Sequence, residues 1–328
     1  MYNFAVKVCV TGGAGFIGAN LVERLLAEGH EILVIDDFST GDERFLSSET
    51  RKSIEILRED LSRVESRSLT QALKKVEVIF HLAANADVRS GWNATFTDIQ
   101  QNVISTHNVA VAARSAGVKH VVFASTGCVY GDSSLIPTPE DEPFPVQTSL
   151  YGASKVAAEG ILSTFAMNAA FSVTVFRFVS VLGKYYHHGH VIDFMRQLFD
   201  NPSVLRILGN GKQKKSFISV DDCVRAIMTL RGSKNFEVFN IGQSTYCEIR
   251  DSAQIIASRM GHAPRLVFGT DDRGWVGDNP FTFLDTRKSN DHGWIPSTSI
   301  EESISQTVDW ISENKWVITL DDSRQAIR

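Results

Sequence analysis

The segment TGGAGFIG at residues 11–18 constrains the fold of this chain more than any other feature of the sequence. It follows an apolar run, AVKVCV at 5–10, and opens a stretch at 16–28 whose apolar residues recur at helical spacing. Gly12, Gly15 and Gly18 allow a tight turn, close approach of the backbone to a pyrophosphate, and close packing of helix on strand. Because strand, turn and helix occur together, the sequence predicts a dinucleotide-binding βα unit.

Short apolar runs alternate with longer amphipathic stretches along most of the 328 residues. This alternation predicts helical crossovers between parallel strands, and therefore an α/β fold with a doubly wound parallel sheet. Strands are predicted at 5–10, 31–35, 54–57, 77–82, 120–125, 172–178 and 236–241. Helices are predicted at 16–28, 67–75, 96–116, 150–168, 192–200, 221–231 and 250–260.

The alternation weakens after residue 183, where glycine and proline become more frequent. We expect a first domain at 1–183, to which 212–246 return. A smaller lobe would be formed by 184–211 and 247–328. The smaller lobe is therefore expected to be interleaved with the first domain.

The second predicted strand ends at Asp36, 18 residues past Gly18. A carboxylate there can accept hydrogen bonds from both ribose hydroxyls and would repel a 2′-phosphate, so NAD is favoured over NADP. After the third strand, Asp60 and Leu61 suit the adenine edge, although an ordinary turn aspartate fits the spacing almost as well. The fourth strand ends in small residues, HLAAN at 81–85, which leave room for a ligand.

Composition excludes several other classes of protein. The net charge of −5 and pI of about 6.0 give none of the basic surplus that nucleic-acid binding requires. No apolar run approaches the ~18 residues of a membrane span, and the start of the chain does not resemble a signal peptide. The four cysteines form no CxxC pair, which favours reduced thiols in a cytoplasmic protein. His187, His188 and His190 lack a nearby acid cluster with ligand spacing, so no metal site is expected.

Tyr151 and Lys155, in the segment YGASK, lie four residues apart at the start of a predicted helix and so share one face. A lysine cation near a phenol favours the tyrosinate, which can take a proton from a sugar hydroxyl while hydride leaves to NAD. Thr126 follows a predicted strand, where its hydroxyl can reach the same group. A lone YxxxK pair can also be an exposed helical pair. The preceding dinucleotide motif favours the catalytic interpretation.

Taken together, these segments resemble the extended short-chain dehydrogenase/reductases of the nucleotide-sugar epimerase/dehydratase family. The resemblance covers nearly the whole chain and implies a Rossmann NAD lobe, a smaller nucleotide-sugar lobe, and a tightly bound NAD recycled in each turnover. It also implies a homodimer in which helices at 96–116 and 150–168 of each subunit form a four-helix bundle. The segments that carry it are TGGAGFIG, VIDDFSTG (34–41), HLAANADV (81–88), ASTGCVYG (124–131), YGASK, RFVSVLG (177–183), LGNGKQKKSFISVDD (208–222) and RGWVGD (273–278).

The resemblance implies a cofactor site around the glycine-rich turn and the ends of the first five strands, together with a catalytic trio of Thr126, Tyr151 and Lys155. The cofactor residues that it implies are Gly12, Gly15, Phe16, Ile17, Gly18, Asp36, Asp37, Phe38, Ser39, Thr40, Gly41, Asp60, Leu61, Leu82, Ala83, Ala84, Ala86, Asn102, Ser125, Tyr151 and Lys155.

The segment STGCVYG at 125–131 bears on the type of reaction. In the family's 4,6-dehydratases the threonine is followed by Asp-Glu, which supply the acid and base for loss of water, and its decarboxylases usually carry a Glu. Here Gly127 and Cys128 occupy those places, and an ordinary thiol, with a pKa near ~8.5, is a weak acid. The sequence therefore favours C4 epimerisation, most like that of a UDP-glucose/UDP-galactose epimerase. A dehydratase, a decarboxylase, an epimerase on a GDP- or CDP-sugar, and a non-catalytic NAD-binding regulator remain alternatives.

The substrate side departs from the family pattern at two positions. Ser180 replaces the usual asparagine over the substrate phosphate, and Lys215 replaces an arginine, which removes the bidentate fork. Arg273 matches a second diphosphate-binding arginine, and with Lys215 it would nearly balance two phosphate charges. The substrate implied by the resemblance is a UDP-hexose, with the segment 88–92 lining the sugar pocket. The implied substrate residues are Val88, Arg89, Thr126, Tyr151, Ser180, Lys215, Arg273 and Asp278.

Overall fold

The computed structural model describes residues 5–89, 94–143, 146–230, 232 and 234–320. Fourteen strands are found in these ranges. They are β1 (Lys7–Thr11), β2 (Glu31–Asp36), β3 (Glu55–Arg58), β4 (Val78–His81), β5 (His120–Thr126), β6 (Ser172–Phe178), β7 (Ser180–Leu182), β8 (Val204–Ile207), β9 (Lys214–Lys215), β10 (Phe217–Ser219), β11 (Phe236–Ile241), β12 (Cys247–Glu248), β13 (Arg265–Phe268) and β14 (Phe281–Thr282).

Helices connect most of these strands. They are α1 (Phe16–Ala27), α2 (Ser48–Lys52), α3 (Ser66–Ala72), α4 (Thr95–Asp98), α5 (Ser105–Ala116), α6 (Leu150–Met167), α7 (His190–Asp200), α8 (Val220–Thr229), α9 (Ile249–Arg259), α10 (Arg287–Asp291) and α11 (Ile300–Glu313). A π-helical turn, Ile99–Ile104, joins α4 to α5, and 3₁₀ turns occupy Glu43–Phe45, Gly127–Tyr130 and Lys315–Thr319.

Seven strands form one parallel sheet in the order β11-β6-β5-β4-β1-β2-β3. Successive residues of β1 point to opposite faces, so Val8 and Val10 join one hydrophobic cluster and Cys9 joins the other. Both faces of the sheet are therefore covered, as a parallel sheet requires. The predicted α/β, doubly wound fold is confirmed. Among the described residues no helix is long and apolar enough to cross a membrane.

The order of the strands also locates the site. The chain leaves β1 toward one edge through β2 and β3, then returns to place β4 on the other side of β1. Ligands of open α/β sheets bind in the crevice where the strand order reverses, outside the carboxyl ends of the strands. The glycine-rich turn after β1 and the small residues after β4 both lie at this crevice.

All seven predicted strands of the main sheet are present, with ends shifted by no more than two residues. Helix α2, between β2 and β3, was not identified from the sequence, and most of the other unidentified elements lie beyond β6. Strands β9, β12 and β14 have two residues each, too few for an alternating pattern to be visible. Helix α11 was also missed, although Ile300, Ile304, Val308 and Ile311 recur at helical spacing and are buried.

Short sheets join the later segments to the end of the main sheet. Strand β7 pairs with β10, and β9 pairs with both β12 and β14. Residues 214–219 therefore lie beside 180–182 and 281–282, although they are far apart in the chain. The division into two interleaved domains stays a prediction.

Candidate active site

At two positions of the first turn, the surrounding backbone leaves room only for glycine. Gly12 has a φ of 69°, and a Cβ atom on it would lie 2.7 Å from the backbone nitrogen of Ala83. A Cβ on Gly18 would lie 2.0 Å from the Gly12 carbonyl oxygen. No side chain fits at either place, because the obstructing atoms belong to the backbone. The turn is thus pressed against the end of β4 on one side and against α1 on the other.

The N-terminus of α1 suits a diphosphate. Its N-cap is Gly15, no side chain caps it, and its first turn holds no acidic residue. A Cβ on Gly15 would meet only the Gly12 carbonyl oxygen, at 3.2 Å. The first N–H groups of a helix carry partial positive charge and need acceptors from outside the helix. The residues present therefore fit the phosphates of a dinucleotide, with Phe16 and Ile17 in the first turn.

Asp36 ends β2 with a fixed carboxylate that is 7% exposed. One oxygen accepts from the Ala14 N–H and the other from the Phe38 N–H, each at 2.8 Å. Gly41 packs against the same turn, since its Cβ would lie 2.8 Å from the Ala14 oxygen. The predicted ribose acid thus lies beside the glycine-rich turn. The other predicted residues of this loop, Asp37, Ser39 and Thr40, lie between Asp36 and Gly41, where Asp37 accepts from the Ser39 N–H at 2.8 Å.

The ends of β3 and β4 complete this side of the crevice. Asp60 accepts from the backbone N–H and the hydroxyl of Ser62, so its carboxylate organises its own turn, and Leu61 is 4% exposed. These contacts agree with the turn-aspartate interpretation of Asp60. Ala84 is half-buried and Ala86 is exposed after β4.

Two residues absent from the sequence predictions fix the start of the crevice. The Thr11 hydroxyl accepts from the N–H groups of Leu82 and Ala83, both at 3.2 Å, and lies 2.7 Å from Nδ1 of His81. Burial lowers the pKa of His81 to about 3, so the ring is neutral at ordinary pH. His81 therefore acts as an uncharged hydrogen-bonding link between β1 and β4. The only sequence signal for this role of His81 was its position on a predicted strand.

Asn102 lies in the π-helical turn and is 1% exposed. Its side-chain oxygen accepts from the Asn85 N–H at 2.8 Å, and its amide donates to the Ser154 hydroxyl at 2.9 Å. Asp98, fully buried, accepts from the Asn85 side chain at 2.8 Å. The network joins the end of β4 to the helix that carries YGASK. Sequence reasoning identified Asn102 but missed Asp98 and Asn85.

Thr126, Tyr151 and Lys155 come together at the end of β5. The Thr126 hydroxyl lies near the Tyr151 phenol and accepts from the Cys128 N–H at 3.1 Å. Burial raises the pKa of Tyr151, nearby Cys128 adds to the rise, and the nearby Thr126 hydroxyl opposes it. The phenol is therefore protonated at rest in the protein alone.

Lys155 is 2% exposed, and its Nζ donates to the Ala124 carbonyl at 2.9 Å. The same nitrogen lies 6.0 Å from the centre of the Tyr151 ring. Burial lowers the pKa of Lys155 to about 8, against the opposing effect of Glu159 and Asp98. The lysine is thus still largely charged near neutral pH, one helical turn from the phenol.

A buried ion pair supports the strand behind this trio. Ser125, predicted at the cofactor site, donates its hydroxyl to Glu159 at 2.5 Å. Glu159 pairs with Arg177 at 2.7 Å, and both side chains are 4% exposed. Arg177 also donates to the Tyr130 hydroxyl at 2.6 Å. The ends of β5 and β6 are therefore tied to α6, which fixes Thr126 relative to Tyr151.

The predicted phosphate-binding cations already have partners within the chain. Lys215 donates to Asp278 at 2.7 Å, with the two side chains 12% and 2% exposed. Arg273 pairs with Asp132 at 2.5 Å, and these side chains are 37% and 44% exposed. Asp278, a predicted substrate residue, also accepts from the Gly274 N–H at 2.9 Å. Asp132 was not identified from the sequence, because it lies 141 residues from its partner.

The remaining predicted substrate residues lie at the start of β7 and in the segment after β4. Ser180 is exposed at the start of β7, and Val88 is half-buried. Arg89 donates to Asp193 on α7 at 2.8 Å. Ser90, Gly91 and Trp92, predicted to line the sugar pocket, fall outside the described residues. Across the described ranges, no group of three or more His, Cys, Asp or Glu side chains is arranged to hold a metal ion.

The fold and site define an NAD-binding enzyme of the extended short-chain dehydrogenase/reductase class. The chain belongs to the NAD dependent epimerase/dehydratase family, whose model matches residues 8–242. NAD is therefore its cofactor, and nucleotide sugars are the substrate class of the family.

Similar proteins catalyse more than one reaction. A UDP-glucose 4-epimerase of Mycolicibacterium smegmatis is 33% identical over 319 residues, which cover 93% of this chain and 98% of that protein. A solved UDP-galactose 4-epimerase has a TM-score of 0.84 and 34% identity over 94% of this chain and 100% of its own. DesIV, a dTDP-glucose 4,6-dehydratase from Streptomyces venezuelae with NAD and TYD bound, has a TM-score of 0.85 and 26% identity, with 94% and 98% covered.

Proposed function

We propose that this enzyme interconverts C4 epimers of a UDP-hexose, such as UDP-glucose and UDP-galactose. The observation that carries the proposal is the local structure of STGCVYG. The Thr126 hydroxyl lies near the Tyr151 phenol, whereas the next two positions are Gly127 and Cys128. This arrangement offers one proton acceptor for the C4 hydroxyl and no carboxyl group at 127 or 128 for loss of water.

Tyr151 is the proposed base, and Thr126 orients the sugar hydroxyl toward it. The buried charge of Lys155 favours removal of the phenolic proton, which the Tyr151 environment otherwise opposes. Removal of the C4 hydroxyl proton by the phenolate, and its later return, suits a reversible reaction. Bound NAD would supply the acceptor and donor of the C4 hydride, and its positive charge in the oxidised form would favour the Tyr151 phenolate.

The proposed cofactor residues are those of the glycine-rich turn, Asp36, and the ends of β3 to β5. The first turn of α1 would hold the diphosphate, and Asp36 would accept from the adenosine ribose. The proposed substrate residues are Ser180, Lys215, Arg273 and Asp278, with Val88 and Arg89 on the sugar side. We retain the two-domain division as part of this proposal.

The state of Cys128 favours epimerisation over dehydration. Burial raises the pKa of its thiol, and the opposing effects of Thr126 and Lys215 are smaller. A thiol in that state is a poor acid and is not deprotonated near neutral pH. It is therefore unsuited to the role that an Asp-Glu pair plays in dehydration. A non-catalytic NAD-binding regulator would have no need for Thr126 beside Tyr151 or for the buried Lys155.

The experiment uses purified protein and a panel of UDP-glucose, UDP-N-acetylglucosamine, UDP-glucuronic acid and dTDP-glucose, with products identified by NMR. The proposal expects a product inverted at C4 from UDP-glucose without added NAD. A 4-keto-6-deoxy product would instead identify a dehydratase, and a pentose a decarboxylase. Inversion of the uronic acid or N-acetyl sugar alone would keep the reaction and change the substrate.

We also propose a cytoplasmic homodimer. Phe96 on α4 and Ile99 in the π-helical turn are 62% and 40% exposed, and Met167 at the end of α6 is 72% exposed. These apolar side chains lie on the two helical segments that the family resemblance places at a dimer interface. Light scattering at micromolar concentration should give twice the mass of the 36.3 kDa chain. A monomer mass would count against the dimer.

A further inference from the structure

Residues 37–46, which we call the cofactor loop, are joined to the glycine-rich turn at their middle. The Asp42 N–H donates to the Ala14 carbonyl at 3.0 Å. Gly41, next to it, is buried against the same Ala14 backbone. Because the loop begins directly after Asp36, its position bears on the carboxylate proposed to hold the adenosine ribose.

The far end of the cofactor loop contacts the last described turn of the chain, Lys315–Thr319. The Arg44 guanidinium lies 4.1 Å from the centre of the Trp316 ring, and Asp42 holds that guanidinium through two bonds of 2.8 Å. Phe45, which is fully buried, lies 5.8 Å from the Trp316 ring and 5.0 Å from the Tyr185 ring. Residues from three distant parts of the chain therefore meet at one aromatic cluster.

The turn that carries Trp316 is anchored by contacts that do not involve the cofactor loop. Val317 is fully buried, and the Arg196 Nε donates to the Ile318 carbonyl at 2.9 Å. Trp316 itself is half-buried. Removal of its indole should therefore leave the turn in place while taking away the surface on which Arg44 and Phe45 rest.

We propose that Trp316 is a positioning residue for NAD: through Arg44 and Phe45 it holds the cofactor loop against the glycine-rich turn and so slows release of the cofactor. The contacts that it provides are a cation–π contact and an aromatic pair, each a modest interaction. The inference rests on the proposed assignment of residues 36–41 to the adenosine side of the cofactor site. It does not depend on which sugar is epimerised.

The test measures the rate at which bound NAD leaves the purified holoenzyme after dilution into an NAD-scavenging solution. Trp316→Ala should accelerate release about ten-fold, and Trp316→Phe, which keeps an aromatic face, should restore most of the retention. Arg44→Ala changes an exposed side chain on the loop itself and should accelerate release in the same direction. The dissociation constant for UDP should be unchanged in all three.

A matched control is Arg259→Ala. It breaks an exposed two-bond pair with Asp309 of α11, at 2.6 and 2.7 Å, without touching the cofactor loop. It should leave NAD release as in the wild type. If Trp316→Ala and Arg44→Ala also release NAD at the wild-type rate, the positioning role is wrong. If Asp36→Ala retains NAD as well as the wild type does, the assignment of residues 36–41 to the adenosine side is wrong instead.

Discussion

The proposed cofactor side and the proposed substrate side of the crevice differ in how their residues are held. On the cofactor side, the critical positions are glycines that admit no side chain, and the carboxylate of Asp36 is bonded to two N–H groups of its own neighbourhood. On the substrate side, Lys215 and Arg273 are bonded to carboxylates from elsewhere in the chain. The cofactor side therefore depends on the shape of the backbone, and the substrate side depends on ion pairs.

This difference changes what a substrate would meet. Lys215 and Arg273 are paired with Asp278 and Asp132, so the four side chains together carry little net charge. The attraction of a diphosphate to this region therefore depends on all four side chains. The Arg273–Asp132 pair is exposed, where such pairs contribute about 0–1 kcal/mol, so Arg273 can exchange partners readily. Lys215 and Asp278 are mostly buried and would act as a fixed unit. The expectation that Lys215 and Arg273 nearly balance two phosphate charges must therefore also include the charges of Asp278 and Asp132.

The largest effect is expected where the two sides meet, at Tyr151. Tyr151→Phe keeps the ring and removes the proton acceptor, so turnover should fall by ~10²–10⁴. NAD should remain bound, since the proposed diphosphate and ribose contacts lie elsewhere. Initial rates and the NAD released on denaturation check both parts.

Cys128→Ala is the matched control for this variant, since Cys128 influences the same phenol. We assign the thiol no proton to move, so epimerisation should persist at close to the wild-type rate. Loss of turnover in folded Cys128→Ala that still holds NAD would make Cys128 a proton carrier and favour an altered reaction.

The next prediction tests the shape of the cofactor side through two glycines with similar backbone angles. Gly12 and Gly29 have φ values of 69° and 83°, but only Gly12 has backbone atoms close to its missing Cβ. Gly12→Ala should combine left-handed strain with a clash, at about 2–5 kcal/mol, and should lose NAD. Gly29→Ala should cost only about 1–2 kcal/mol and keep NAD. Equal losses of unfolding free energy would show that φ, and not space, makes Gly12 necessary.

The same contrast explains what the sequence could predict. The turn at 11–18, Asp36 and the pair Tyr151–Lys155 each depend on residues close together in the chain, so their spacing carries the geometry. The partners of Arg273 and Lys215 lie 141 and 63 residues away, or meet them through two-residue strands that leave no periodic pattern. Such pairs are fixed by tertiary packing alone. Helix α11 is different, because its apolar spacing was present in the sequence and was overlooked.

The third prediction concerns the charge pairs of the substrate side. Lys215→Ala would leave Asp278 buried without its cation and should lower the free energy of unfolding by about 3 kcal/mol. Arg273→Ala should lower it by less than about 1 kcal/mol, because that pair is exposed. Both should raise the KM for the nucleotide sugar. Urea unfolding and initial rates measure the two effects, and equal stability losses would contradict the distinction between a fixed and an exchangeable pair.

Among the buried positions, the smallest change in stability is expected at Lys155, which both sides share. Its pKa in the folded protein, about 8, lies below the ordinary value of 10.5, so the unfolded chain binds more protons between these values. Stability from this group is therefore greatest above pH 10.5 and falls as pH drops toward 8. Lys155→Met removes a costly buried charge and should raise the free energy of unfolding by about 2 kcal/mol at pH 7, after loss of the bond to Ala124. The gain should vanish by pH 10.5, although turnover is lost throughout.

Lys119→Met, at a side chain 73% exposed, is the control and should change little at either pH. If Lys155→Met is less stable than the wild type at pH 7, the surroundings of Lys155 stabilise its charge. The buried charge would then not lower the free energy of unfolding.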